Sequence, residues 1–241
     1  MVHYAYIKNI NDDWSWRYVI VFASRTVADE WWRAVSTSTN TKYSDSVRRV
    51  TSQFFTHDIN QANAAYSIND AQVASRFLGK VFFTLLPERD DGRVLSVIPS
   101  SDFADHVSGN TFFIRSKVSP NEYWYCPGSS TGNVTPNSKI YVSRTERTRF
   151  RVRLMSERKD ATGTIMIGSD EIAITLTSAK LSVRVSRSCH LIISKSPEPG
   201  LKLSDLVNGF GVVTPLLESD PESEDLKELF KTDDGEEWEL V

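Results

Sequence analysis

Three aromatic residues in a row, Tyr123, Trp124 and Tyr125, stand in the stretch NEYWYCPGSSTG, followed by Cys126 and a Pro/Gly-rich polar segment. Aromatic faces stack on the apolar faces of sugars and on other proteins, while an indole N–H or a phenol O–H fixes orientation. In a strand, Tyr123 and Tyr125 point to one side and Trp124 to the other. One side faces a core, so either Trp124 or the tyrosine pair reaches outward. The segment PGSSTGNVTPNS supplies small side chains that hydrogen-bond a glycan or shape a binding loop. Tyr123, Trp124, Tyr125 and Asn133 are therefore the ligand-binding candidates, the alternative being that all three rings cover the core and rim of the β domain.

A second chemistry lies close by. Between Lys139 and Lys159 the chain carries eight basic residues and two acids, with Arg149, Arg151 and Arg153 alternating against Phe150, Val152 and Leu154. That alternation predicts a strand with a guanidinium ladder on one face, able to meet phosphate, carboxylate or sulfated glycan, or the protein's own acidic tail. The sequence pI near 5.9 and the lack of a recognised module argue against nucleic acid.

Catalytic constellations are weaker. Asp102, Asp105 and His106 are close in sequence, as are His57 and Asp58, but neither spacing matches a metal-ligand motif. A solvated loop is expected at the first and a strand-end hydrogen bond at His57. Cys189 and His190, adjacent on a strand, would face opposite sides and fail as nucleophile and base. No Walker loop, nucleophile elbow, GxGxxG, HExxH or CxxC occurs. No cofactor or metal is called for, and a non-enzymatic protein is favoured over an enzyme with an unfamiliar site. The two cysteines read as free, buried thiols in a reducing compartment.

The elements that must position these residues fall into two parts. YAYIK and RYVIVFAS read as strands, and TVADEWWRAVS as a helix with Thr26 and Asp29 as capping pair. Val27, Trp31 and Val35 share one line of that helix, with Ala28 and Trp32 beside it, a face for the sheet or for a subunit interface. SVRRVTSQFFTHDI supplies a third strand and SINDAQVASRF a short helix. These form an α+β unit over residues 1–76. From residue 77 to 214 short β runs follow one another between turn signals, which predicts an all-β domain. Residues 215–241 are an acidic tail. From Glu218 on, eleven acids face Lys227 and Lys231, so the tail carries −9 of a net −3 and leaves +6 on the body. Leu226, Leu229, Phe230 and Trp238 among the acids suit a segment that docks.

Ten to twelve short strands, opening with the GKVFFTLL…DGRVLSVI hairpin, resemble the β-trefoil proteins of fungal lectin and inhibitor type. The resemblance implies twelve strands in three similar units of about 45 residues each. The Gln-x-Trp signature of ricin-type trefoil lectins is absent, and a β-sandwich is the alternative fold. What the resemblance implies is a lectin-like carbohydrate-binding protein. A protease inhibitor presenting loops 86–93 or 127–138 is the second reading. The opening residues lack a basic segment followed by an apolar run, and no stretch approaches the roughly 18 apolar residues of a membrane span. A cytoplasmic protein is expected, with a glycan or protein ligand, and a homo-oligomer stays open.

Overall fold

The computed structural model describes residues 2–12, 14–39, 41–86, 105–155, 163–214 and 226–241. The described chain is mostly β-sheet with few helices, in two compact units, 1–105 and 106–241. The first runs beyond the expected boundary near residue 77, because the strand Val81–Leu85 completes its sheet. The predicted strand VLSVI, the loop 86–93 apart from Leu86, and Asp102 lie outside the described residues.

In the first unit, β1 (His3–Asn9) and β2 (Tyr18–Phe22) form an antiparallel hairpin, followed by α1 (Arg25–Ser36) and the single turn α2 (Tyr43–Ser46). The predicted third strand is two, β3 (Arg48–Thr51) and β4 (Phe54–His57), with β4 parallel to β1. The expected helix SINDAQVASRF is instead a pair of 3₁₀ turns, Ala64–Asn69 and Ser75–Phe77, which lead to β5 (Val81–Leu85). The sheet order is β3-β4-β1-β2-β5. Trp31 and Val35 of the predicted line on α1, with Ala28 beside it, bury against Ile7, Ile20, Phe22 and Phe55, while Val27 and Trp32 are partly buried on the same cluster. The cap differs from the Thr26–Asp29 pair: Ser24 is the N-cap, its Oγ accepting from the Val27 N–H at 3.2 Å. Asp29 is free for another task. It accepts from Arg25 (3.3 Å) and Arg49 (2.7 Å), and both arginines also hold Asp105, at 2.9 and 2.8 Å. This alternating ring ties the end of the unit to its helix.

The second unit begins with β6 (Thr111–Phe112), β7 (Ile114–Ser116), β8 (Tyr123–Tyr125), β9 (Tyr141–Ser143) and β10 (Phe150–Leu154). It continues through β11 (Ile172–Leu176), β12 (Ser182–Val185), β13 (Leu191–Ser194), the turn α3 (Asp205–Asn208) and β14 (Phe210–Val213). The described part of the acidic tail is not a loose appendage. It forms β15 (Lys227–Lys231) and β16 (Trp238–Leu240), two strands of the sheet. One sheet has the order β13-β12-β11-β10-β6 and the other β14-β15-β9-β8-β7-β16. The chain passes from one to the other at Phe113, between β6 and β7. The edges of the six-stranded sheet meet, since Phe210 pairs with Glu236, whose N–H donates to the Phe210 carbonyl at 2.8 Å. Gly235 permits this approach, because a Cβ there would lie 2.2 Å from the Phe210 oxygen. Ile114, Trp124, Val142, Leu229 and Trp238 from this half-barrel, with Phe150 and Val152 from the other sheet, are buried residues of the unit's core.

Candidate ligand-binding face

Strand β8 is where the aromatic run divides. Trp124 is 0% exposed, and its ring meets Phe210, Trp238 and Phe150 edge-on at 5.0, 5.9 and 6.2 Å. This corrects its assignment to a ligand surface. The side of β8 that Trp124 occupies is the core side, and no ligand reaches it without opening the unit.

Tyr123 and Tyr125, on the opposite side, are half-buried. Pairing extends this face beyond the strand. Tyr125 lies opposite Tyr141 of β9, and Tyr123 stands between Ser143 and Arg115. Burial, and then the negative charge of Glu146, push the Tyr125 phenol up, so it stays protonated as a hydrogen-bond donor. Phe113 meets Tyr123 edge-on at 6.3 Å. The Arg147 guanidinium lies 4.5 Å from the centre of the Phe113 ring and 5.7 Å from that of Tyr123, and Arg149 sits 4.8 Å from Phe113. Two cations thus stack on one ring at the border of the two sheets.

The ladder forms as its alternation predicts. Arg151 and Arg153 are exposed on β10 while Phe150, Val152 and Leu154 turn inward, and Arg149 continues the exposed row. Among the described residues, Arg147, Arg149, Arg151 and Arg153 have no ion pair. Three of the six described tail acids bind elsewhere: Glu239 to Arg115, Glu237 to Lys117, and Glu228 to Lys139 and His190. Residues 215–225 of the tail, Arg158 and Lys159 lie outside the described residues.

Asn133 is exposed in the turn after Cys126, and no described hydrogen bond joins its side chain to the tyrosines. Its N–H donates to the Gly128 carbonyl at 3.1 Å. Gly128 has φ +78°, and a Cβ on it would lie 2.9 Å from the Asn133 oxygen, so only glycine suits the turn. The loop is anchored at both ends: Cys126 N–H donates to Thr148 Oγ1 at 2.9 Å and Asn137 N–H to the Ile193 carbonyl at 2.7 Å.

The remaining chemical candidates are engaged otherwise. His57 Nε2–H donates to the Trp16 carbonyl (2.8 Å) and Nδ1 accepts from the Ala64 N–H (3.2 Å). Burial holds its pKa below the usual histidine value. Asp105 is spent on Arg25 and Arg49. Both cysteines are free; Cys126 is buried, its thiol pushed up to about 11 by burial, but Cys189 is exposed rather than buried. Cys189 sits in a turn with φ +64°, not on a strand, so alternation does not govern its direction. Among the described residues no cluster of three His, Cys, Asp or Glu is arranged to hold a metal, and no helix is long and apolar enough to cross a membrane.

Sequence reading missed Phe113 and Tyr141. The only signal for either is strand pairing, which sets Tyr141 against Tyr125 and brings Phe113 beneath Arg147 and Arg149. No family model, curated protein or solved structure matches this chain.

Proposed function

We propose that this is a non-enzymatic binding protein whose second unit takes an anionic glycan, sulfated or carboxylated, across the face built by Tyr123, Tyr125, Tyr141 and Phe113 and the arginine row beside it. The observation that carries the reading is the row Arg147, Arg149, Arg151 and Arg153, unpaired among the described residues, with two members already stacked on Phe113. Guanidinium groups spaced two residues apart on a strand repeat at about 7 Å, a spacing suited to successive anionic groups on a polymer. The aromatic rings offer stacking surface for the sugar rings.

The scaffold in this reading is a two-sheet, sandwich-like β unit. The trefoil resemblance remains its looser part: the described strands group as five and six rather than as three units of four. A cytoplasmic location goes with the reading, supported by the two free cysteines. A second reading, a protein-interaction module that presents loop 127–138, draws support from that loop's anchorage to Thr148 and Ile193.

The test is a glycan array with sulfated, carboxylated and neutral members, followed by titration with heparin at several salt concentrations. Binding confined to anionic glycans is expected, weakening as salt rises, with the Arg149→Ala/Arg151→Ala variant lowering the salt slope by about two. Equal binding by that variant would overturn the reading. Tighter binding to single-stranded DNA of matched charge would transfer the face to nucleic acid.

A further inference from the structure

The first unit holds an open cleft of about 500 Å³ walled by α2, the loop after β4 and the 3₁₀ turn Ala64–Asn69. Its volume falls within the range of about 300–1,000 Å³ typical of small-molecule sites. The cleft is held from beneath. Ser46 Oγ, on α2, shares its one proton between the Asp58 and Ala62 carbonyls (2.9 and 2.6 Å), accepts from the Asp58 N–H at 3.1 Å, and so binds α2 to the loop. Asn63 caps the 3₁₀ turn through the Ala65 N–H (3.0 Å) and donates to the Tyr18 hydroxyl (2.7 Å). Trp31 donates its indole N–H to Ser67 at 3.0 Å. Such bonds fix the walls before any ligand arrives, which lowers the ordering cost of binding.

The lining has a definite chemistry. Tyr66 is 58% exposed and its ring makes no described ring contact. Tyr43, partly buried, packs against the core, and burial, and then Asp70, push its phenol up so that it stays protonated. Around the two rings stand Lys42, Gln61, Asp70 and Gln72. One cation and one anion balance, and they do not pair with each other, so the site has no net charge with which to select a charged ligand. Two phenol rings with amide, carboxylate and ammonium groups form a set that stacks on C–H faces and both donates to and accepts from hydroxyl groups.

We propose that this cleft is a second binding site, for a short neutral saccharide, with Tyr66 as stacking platform and Asp70 as hydroxyl acceptor. It is independent of the anionic-glycan reading, since it uses another unit and other residues.

The test uses the full chain and saturation-transfer NMR with the methyl glycosides of glucose, galactose, mannose and N-acetylglucosamine, at affinities on the order of 1 mM. Transfer to the C–H protons of at least one glycoside is expected. Tyr66→Ala, a surface change that leaves folding nearly untouched, should abolish it, and Asp70→Asn should weaken binding about tenfold. The Arg149→Ala/Arg151→Ala variant should bind the glycoside as the wild type does, which separates this site from the arginine face. No transfer from any of the four glycosides, or undiminished transfer in Tyr66→Ala, would overturn the proposal.

Discussion

Replacing Trp124 with alanine distinguishes a core residue from a ligand contact more directly than any other change. The indole is 0% exposed and meets three rings edge-on, the nearest at 5.0 Å. Removing a fully buried Trp costs about 3–5 kcal/mol, from lost transfer free energy and the cavity left behind. Each edge-on pair adds about 0.5–1.5 kcal/mol beyond area, so the upper end of that range is expected. Against a total stability of about 5–15 kcal/mol, the second unit should lose on the order of 10–20 °C in Tm. Trp124→Phe is the control. The indole N–H has no hydrogen-bond partner among the described residues, so deleting it relieves a desolvated donor and offsets part of the smaller ring's lost packing, for a cost below about 2 kcal/mol. Urea unfolding followed by circular dichroism measures both variants, and heparin binding is read well below the midpoint. Folded Trp124→Ala should bind as the wild type does. If it keeps its Tm to within about 2 °C while losing the ligand, Trp124 is a binding residue and the core assignment fails.

Asp29 and Arg49, 7% and 6% exposed at the side chain, form a buried pair, and Asp29→Asn should cost the first unit about 3–5 kcal/mol in urea. Lys117→Ala breaks a pair exposed by nearly half and should cost under about 1 kcal/mol; similar losses in both would refute the burial argument. His57 is neutral when folded, with its pKa lowered chiefly by burial. Its contribution is complete above the unfolded value of about 6.5 and is lost as pH falls from there through the lower folded value. Stability should drop by up to about 1.4 kcal/mol per pH unit in that window, and His57→Gln should flatten the fall; an unchanged profile would remove His57 as its cause. A thiol reagent at neutral pH should label Cys189 alone in the native chain and both cysteines after denaturation, since burial raises the Cys126 thiol to about 11. Rapid native labelling of both would contradict that burial.

What was legible in the sequence was local. The line Val27-Trp31-Val35 with Ala28 and Trp32 beside it, and the alternation Phe150-Val152-Leu154 against arginines, follow from helix and strand periods; both stand in the structure, with Val27 and Trp32 partly buried. The cap was misread because Thr26 and Asp29 fit a spacing rule. The rule does not see Arg49, twenty residues on, which claims the Asp29 carboxylate. Trp124 was ambiguous for a related reason: alternation assigns two faces but not which one is buried. That depends on Phe210 and Trp238, which return from the far end of the chain. Tyr141 and Phe113 enter the proposed ligand face only through pairing register, and the Tyr43–Tyr66 cleft only through the packing of a turn on a loop. Neither leaves a periodic trace.

The acidic tail shows how such long-range pairing changes a functional reading. By charge alone it is the natural partner of the arginine ladder, and a tail docked there would leave no anion site. The described tail instead enters the sheet as β15 and β16, with Leu229, Trp238 and Leu240 buried. Register brings two of its acids to basic residues: Glu239 pairs in the ladder with Arg115, and Glu228, opposite Tyr141, reaches Lys139 and His190. Of the apolar residues that made the tail look like a docking segment, Leu226 and Phe230 are half-buried and Leu229 and Trp238 are core residues. They hold these carboxylates in place against their own cations and leave Arg147, Arg149, Arg151 and Arg153 unpaired by them. A guanidinium row that the protein's described acids do not neutralise, set beside half-buried tyrosines, is the condition an external anionic ligand needs.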